Sequence, residues 1–265
     1  MSGKVYLVGA GPGDPELLTV RAVRVLGEAG VVLHDALVSR EVLELVNPAA
    51  KVLHVGKRCG QPGFSQQQIN ALLTSYAKCA RVVVRLKSGD PLIFGRAGEE
   101  IEALRAAGIP FEIVPGITAA LAAAAAAHVP LTDRRTSSRL VIATHHYALN
   151  ENVPQRESSA SPRTTFALYM PGTDYQQVAD EMRRSGLQDD TPCLLVSRAS
   201  TPQQQTCLTN LRQLASLPPL PAPVVMVLGS VCAAARSSAA ASEDCTEPLA
   251  IEGAASYSVG NVSGG

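Results

Sequence analysis

Two glycine-rich turns carry the first sign of chemistry in this chain. Gly9-Ala10-Gly11-Pro12-Gly13-Asp14 follows the first apolar run, and Lys87-Ser88-Gly89-Asp90-Pro91 follows a later one. Each stands at the carboxyl end of a β-rich segment and opens toward a helix. Open α/β sheets gather ligands there, because small residues let backbone groups reach a bound molecule. The first turn begins like a dinucleotide fingerprint and then departs from it. Asp14 takes the place of the third glycine, and Pro12 removes an amide that would hold a pyrophosphate. Such a loop suits a nucleotide-like ligand without a pyrophosphate, and it is equally an ordinary tight turn between strand and helix. A third feature is Asp35, set inside the apolar stretch 31–38. A carboxylate in such a place is costly unless it has a partner or a use.

The elements that must position these residues alternate. Apolar runs at 5–8, 31–38, 52–55, 82–86 and 111–114 predict strands. Asp14 caps a helix with Pro15 at its first position, running to about 29. A short helix over 40–46 stops before Pro48, and Ser65 with Gln68 makes a capping box for a helix through 78. Residues 98–107 predict another helix, ended by Gly108. This βα alternation implies an α/β fold with a parallel sheet covered on both faces. An alanine-rich helix over 118–128 then opens a second series. Its strands are expected at 140–144, 165–169, 193–196, 205–208 and 224–228, with helices at 175–185 and 211–217. These strands lie closer together, which predicts a mixed second sheet. Residues 150–163 are polar and aperiodic, a loop. The expected division is an N-terminal domain over 1–116, a C-terminal domain over 117–232 and a disordered Ala/Ser/Gly-rich tail over 233–265.

Composition removes several function classes. Lys plus Arg equals Asp plus Glu at 23 each, so no overall field draws nucleic acid or membrane. Aromatic content of 4% without tryptophan leaves little for stacking bases. The cysteines at 59, 79, 193, 207, 232 and 245 form no CxxC pair and read as reduced thiols. No metal site is expected; His145 and His146 adjoin on a strand and so point to opposite faces. The first strand follows Met-Ser-Gly-Lys at once, and the apolar stretch 117–129 is too short for a bilayer. A soluble cytoplasmic protein is expected.

Taken in order, the motifs are Val8-Gly-Ala-Gly-Pro-Gly-Asp14, His34-Asp-Ala-Leu-Val38, Gly56-Lys-Arg58 and Arg85-Leu-Lys-Ser-Gly-Asp-Pro-Leu-Ile-Phe-Gly-Arg96. They continue through Gly98-Glu-Glu100, Val114-Pro-Gly-Ile-Thr-Ala119, Val129-Pro-Leu-Thr132, Leu168-Tyr-Met170 and Pro223-Val-Val-Met-Val-Leu-Gly229. With them the chain resembles the tetrapyrrole methylase superfamily, and within it the uroporphyrinogen-III C-methyltransferases. The resemblance spans residues 4–231, and the Arg85–Arg96 stretch is its most specific part.

What the resemblance implies is a two-domain α/β enzyme binding S-adenosylmethionine in the cleft between its sheets. It would be a homodimer that methylates uroporphyrinogen III twice, giving precorrin-2 for siroheme, cobalamin or haem d1 synthesis. By the same resemblance Pro12, Ser88, Gly89, Asp90, Ile93, Thr118, Ala119, Met170 and Ala199 line the cofactor. Asp35 is the base and Lys57 the acid. Alternatives stand beside these roles: a plain turn capped by Asp90, core packing for Met170, and an Asp35–Lys57 ion pair that only fixes loops. The substrate is a polycarboxylate and needs cations, for which Arg58, Arg96, Arg134, Arg135 and Arg139 are candidates, with Arg85 and Lys87. A solvated surface role is the ordinary one for any single arginine. The chain departs from the family at Ser88, where a glycine is usual, a change tolerated if φ is negative there. His34 replaces a common tyrosine, and His145 and Ser197-Arg198 depart in the second half. Two rival readings remain: a sister methylase acting on a later corrinoid precursor, and a catalytically silent tetrapyrrole-binding homologue.

Overall fold

The computed structural model describes residues 3–56, 63–145 and 163–235. Strands β1 (Lys4–Gly9), β2 (Val31–His34), β3 (Lys51–His54), β4 (Val82–Lys87) and β5 (Phe111–Val114) form an all-parallel sheet in the order β3-β2-β4-β1-β5. Side chains alternate across its faces, as strand geometry requires. Val5, Leu7, Leu33 and Val83 meet Leu73 and Leu104, which come from helices α3 (Gln66–Tyr76) and α4 (Ala97–Ala106). Val8, Val32, Val84 and Leu86 meet Ala22, Leu26 and Val42 of α1 (Val20–Gly27) and α2 (Arg40–Leu43). Both faces are therefore covered, and β4 lies buried between its neighbours.

Local signals explain where these elements start and stop. The capping box before α3 is formed from both sides, Gln68 N–H to Ser65 Oγ at 3.1 Å and Ser65 N–H to Gln68 Oε1 at 2.7 Å. The helix expected from Asp14 to 29 is broken in two. Asp14 caps only a short 3-10 turn, Pro15–Leu17, and Leu18 is extended. Thr19 then accepts from Ala22 N–H and starts α1 afresh, a second cap overriding continuation. Strand β2 is shorter than expected and ends at His34. Asp35 N–H still bonds Leu86 O at 3.1 Å, after which the chain turns toward α2, capped by Ser39.

The second sheet follows helix α5 (Ala119–Ala126). It contains β6 (Arg139–Thr144), β7 (Thr164–Tyr169), β8 (Pro192–Ser197), β9 (Gln205–Asn210) and β10 (Val224–Leu228), in the order β6-β7-β10-β8-β9. The β6–β7 pair is parallel and the others antiparallel, so the sheet is mixed. The small side chains of α5 let Ala120, Ala123 and Ala124 lie close against Ala167, Val196 and Val227. The opposite face is closed by α6 (Tyr175–Arg184), whose Val178, Ala179 and Met182 meet Phe166, Leu195 and Met226. Helix α7 (Leu211–Leu214) is a single turn and ends before the expected 217. A 3-10 turn, Ser230–Ala234, buries Val231 and Cys232, so the segment expected as tail starts within ordered chain. The rest of that tail, and most of the expected loop 150–163, lie outside the described residues. Among the described residues no helix is long and apolar enough to cross a membrane.

Candidate active site at the junction of the two sheets

Three backbone segments meet at the carboxyl end of the parallel sheet. Gly11 N–H bonds Gly89 O at 3.2 Å, Gly89 N–H bonds Gly11 O at 2.8 Å, and Ala10 N–H bonds Lys87 O at 2.7 Å. The two glycine-rich turns are thus one unit. A Cβ on Gly9 would stand 2.6 Å from Gly116 Cα and 2.7 Å from Gly89 O, and one on Gly116 only 2.3 Å from Gly89 O. Backbone packs on backbone here, which glycine alone allows. Asp90 ties the second turn together: Oδ1 accepts from Leu92 N–H at 2.8 Å and Oδ2 from Gly116 N–H at 3.0 Å. Gly89 is left-handed at φ +67°, whereas Ser88 is not among the left-handed residues, so its side chain is accommodated.

The second sheet supplies the other wall. Gly89 lies against Thr118 and Ala119, since its Cβ would be 3.8 Å from Thr118 Cα. Tyr169, the last residue of β7, places its hydroxyl 2.6 Å from Thr118 Oγ1 and accepts from Ala120 N–H at 2.8 Å. It thereby satisfies an amide of the first turn of α5 that has no helical partner. Burial pushes the Tyr169 phenol up, so it stays protonated. Its ring lies 5.3 Å from that of Phe94, next to Ile93. Met170 follows with 47% exposure. On the other side a Cβ on Gly13 would be 2.9 Å from the Thr201 methyl, which brings the first turn to the one that follows buried Ala199. Phe94, Arg96, Met170, Arg198 and Ser200 are all left-handed, at φ between 49° and 62°. Strain of this kind costs about 1–3 kcal/mol per residue and collects at functional turns. Pro12, Ser88, Gly89, Asp90, Ile93, Thr118, Ala119, Met170 and Ala199 therefore all belong to segments in contact round one junction.

Beneath the second turn runs a chain of buried charge. Arg85 is 2% exposed, and its Nη2 bonds Asp35 Oδ1 while its Nε bonds Glu100 Oε1 at 2.9 Å. Lys87 Nζ lies 3.0 Å from both oxygens of Glu100, which is fully buried. Burial depresses the Lys87 ammonium below its ordinary value, and the adjacent Arg85 charge adds to this. Burial works against the Arg85 charge too, but Asp35 and Glu100 outweigh it. These findings correct one expectation. Arg85 and Lys87 point inward onto carboxylates and do not meet solvent, so neither is a surface cation for a substrate. The partner of Asp35 among the described residues is Arg85. Lys57 and Arg58 lie outside the described residues. The chain leading to them is held close, because a Cβ on Gly56 would be 2.0 Å from Ala36 N.

Glu100 stands in the Gly98-Glu-Glu100 motif, but no role was read for it from the sequence. Its signal was spacing: Ala97, Glu100 and Leu104 are the buried residues of α4, one helical stripe with a carboxylate in it. The remaining candidate cations are exposed. Arg96 pairs with Glu99 at 2.7 and 2.8 Å. Arg135 pairs with Asp133 at 2.7 and 3.0 Å, which lowers the Asp133 carboxyl to about 2. Arg134 contributes its carbonyl to Arg163 at 2.6 Å, and Arg139 opens β6. Among the described residues no group of His, Cys, Asp and Glu could hold a metal ion, and His145 bonds Glu181 at 2.9 Å.

Known proteins share this architecture. The family described as Tetrapyrrole (Corrin/Porphyrin) Methylases matches residues 4–215. A uroporphyrinogen-III C-methyltransferase of Paracoccus denitrificans (strain Pd 1222) is 46% identical, over 93% of this chain and 85% of its own. The chain spans about half the length of the siroheme synthases it also matches. A crystal structure of uroporphyrin-III C-methyl transferase from Thermus thermophilus, complexed with S-adenyl homocysteine, superposes with a TM-score of 0.73. It is 38% identical and covers 86% of this chain and 98% of its own. A cobalt precorrin-4 methyltransferase superposes with the same TM-score, 0.73, at 29% identity, covering 86% of this chain and 95% of its own. The chain belongs to the tetrapyrrole (corrin/porphyrin) methylase family.

Proposed function

We propose that this chain is an S-adenosylmethionine-dependent methyltransferase that adds two methyl groups in succession to uroporphyrinogen III, yielding precorrin-2. The observation that carries the reading is the 46% identity to the Paracoccus enzyme over 93% of the chain. The glycine turns suit a closely held ligand: Gly9 and Gly116 let backbone pack on backbone, at 2.6 and 2.3 Å from where a Cβ would stand, and beside them a Cβ on Gly89 would come no nearer than 3.8 Å to Thr118. When bound, S-adenosylmethionine supplies an electrophilic methyl on a sulfonium, so the protein need not provide a nucleophile.

The residues then have separable tasks. Pro12, Ser88, Gly89, Ile93, Ala119, Met170 and Ala199 line the cofactor, while Asp90 and Thr118 shape its walls through the bonds they make to Gly116 N–H and the Tyr169 hydroxyl. The pocket must bring a pyrrole carbon into line with the methyl. Carbon methylation leaves a cationic ring system from which a proton must depart. Asp35, 27% exposed, receives it. Lys57 is the acid by resemblance, and Arg58, Arg96, Arg134, Arg135 and Arg139 hold the carboxylates of the substrate. The division into 1–116, 117–232 and a tail, a homodimeric assembly and a cytoplasmic location belong to the same proposal. Neither nucleic acid nor membrane is a partner in it.

Purified protein given uroporphyrinogen III and methyl-labelled S-adenosylmethionine tests this by product mass. Two labelled methyls are expected. A single methyl contradicts the successive transfers, and none contradicts the substrate. The shared fold of the cobalt precorrin-4 methyltransferase favours one second reading, methylation of a later corrinoid. Activity on such a precursor alone would establish it.

A further inference from the structure

We propose that Arg85, anchored by Glu100, is a positioning residue that sets the Asp35 carboxylate for proton transfer. This rests on the reading of Asp35 as the base of the reaction above. Along β4, Val83, Arg85 and Lys87 point to the face that α3 and α4 cover, and Leu33 with Asp35 continues that face on the neighbouring strand. The apolar pattern therefore gives way to charge only at the carboxyl end, directly under the candidate site. Arg85 donates in several directions at once: to Glu100 Oε1 at 2.9 Å, to Leu86 O at 3.2 Å, to Leu33 O at 3.4 Å and to Asp35 Oδ1. A guanidinium so held cannot swing, and it engages one oxygen of Asp35. No hydrogen bond is made to Oδ2 among the described residues, which leaves that oxygen for a proton.

Glu100 is itself fixed, by both contacts from Lys87 and by Gln66 Nε2 at 3.3 Å. Buried ionic networks are poor sources of stability, since well-packed apolar residues of similar volume serve the fold equally. Stability alone gives no reason for two cations and two carboxylates here. The use that the geometry supports is to hold the end member, Asp35, whose side chain is 27% exposed, at one place.

The test is a set of double-mutant cycles. Arg85→Gln, Arg85→Lys and Glu100→Gln are made singly and again with Asp35→Asn, and kcat, KM and S-adenosylhomocysteine affinity are measured. Arg85→Gln is expected to lower kcat about 10- to 100-fold, within the range general-base catalysis supplies. KM for the tetrapyrrole and affinity for the homocysteine product should stay within about threefold. With Asp35→Asn already present, the same change should cost less than about twofold, because its route of action is gone. Arg85→Lys keeps the charge without the fork, and should recover part of the turnover. Equal losses with and without Asp35→Asn, or a parallel fall in S-adenosylhomocysteine affinity, would overturn the proposal. If Arg85→Gln does not fold, Arg85→Lys and Glu100→Gln complete the same cycles. Wild-type turnover by Asp35→Asn alone would instead remove the base reading on which it rests.

Discussion

The two sheets treat charge in opposite ways. The parallel sheet buries Arg85, Lys87 and Glu100 beneath its ligand-facing end, with Asp35 at the edge of the group. The core of the mixed sheet is apolar, and the buried polar residues of its strands are mostly neutral, Thr144, Thr164, Thr165 and Ser197. Its contribution to the junction is shape: a tyrosine hydroxyl on the start of α5, and turns held left-handed at Met170, Arg198 and Ser200. One half of the molecule thus carries the buried charge, and the other a wall of neutral side chains and left-handed turns. Sequence departures fall in both halves: His34 and Ser88 at the parallel sheet, and His145 and Ser197-Arg198 at the mixed one.

Substitutions can break this contrast, beginning with the largest effect. Asp35→Asn should lower kcat about 100- to 10,000-fold with S-adenosylhomocysteine affinity unchanged by calorimetry. Equal losses in both would make the carboxylate a structural element of the whole junction. Gly116→Ala forces a Cβ to 2.3 Å from Gly89 O and 2.8 Å from Gly9 Cα. It should cost about 1–3 kcal/mol in denaturant melts and weaken cofactor binding, because backbone cannot yield as a side chain does. Tyr169→Phe removes the hydroxyl that takes Ala120 N–H, with a cost of about 1–2 kcal/mol. Here KM for S-adenosylmethionine should rise while kcat holds. A fall in kcat alone would give the mixed sheet a chemical part. Smallest of all, Arg134→Glu with Arg135→Glu should raise tetrapyrrole KM several-fold, roughly the worth of exposed ion pairs, and leave cofactor affinity as it was.

Local features were the most legible from sequence. The Ser65–Gln68 capping box, the β10 run and the glycine turns all depend on residues close together, and each forms as expected. The break at Thr19 was not, since two caps within one apolar pattern compete and only packing decides between them. The ionic chain was hidden for a different reason. Asp35 follows β2, while Arg85 and Glu100 sit on β4 and α4; they meet because the sheet order places β2 beside β4. Periodicity gives each strand its faces but not its neighbour. The left-handed turns at Phe94, Met170 and Ser200 were equally hidden, because none of them is a glycine.

S-adenosylhomocysteine is expected in one cleft, where the joined glycine turns face the Tyr169–Met170 wall, with Asp35 and its ionic support under the second turn. A crystal structure with S-adenosylhomocysteine tests it most directly. The ligand is expected between the Gly11–Gly89 contact and Met170, with its sulfur facing the side on which Asp35 is exposed. Ligand bound anywhere else on the molecule, or a junction packed solid with side chains, would contradict it.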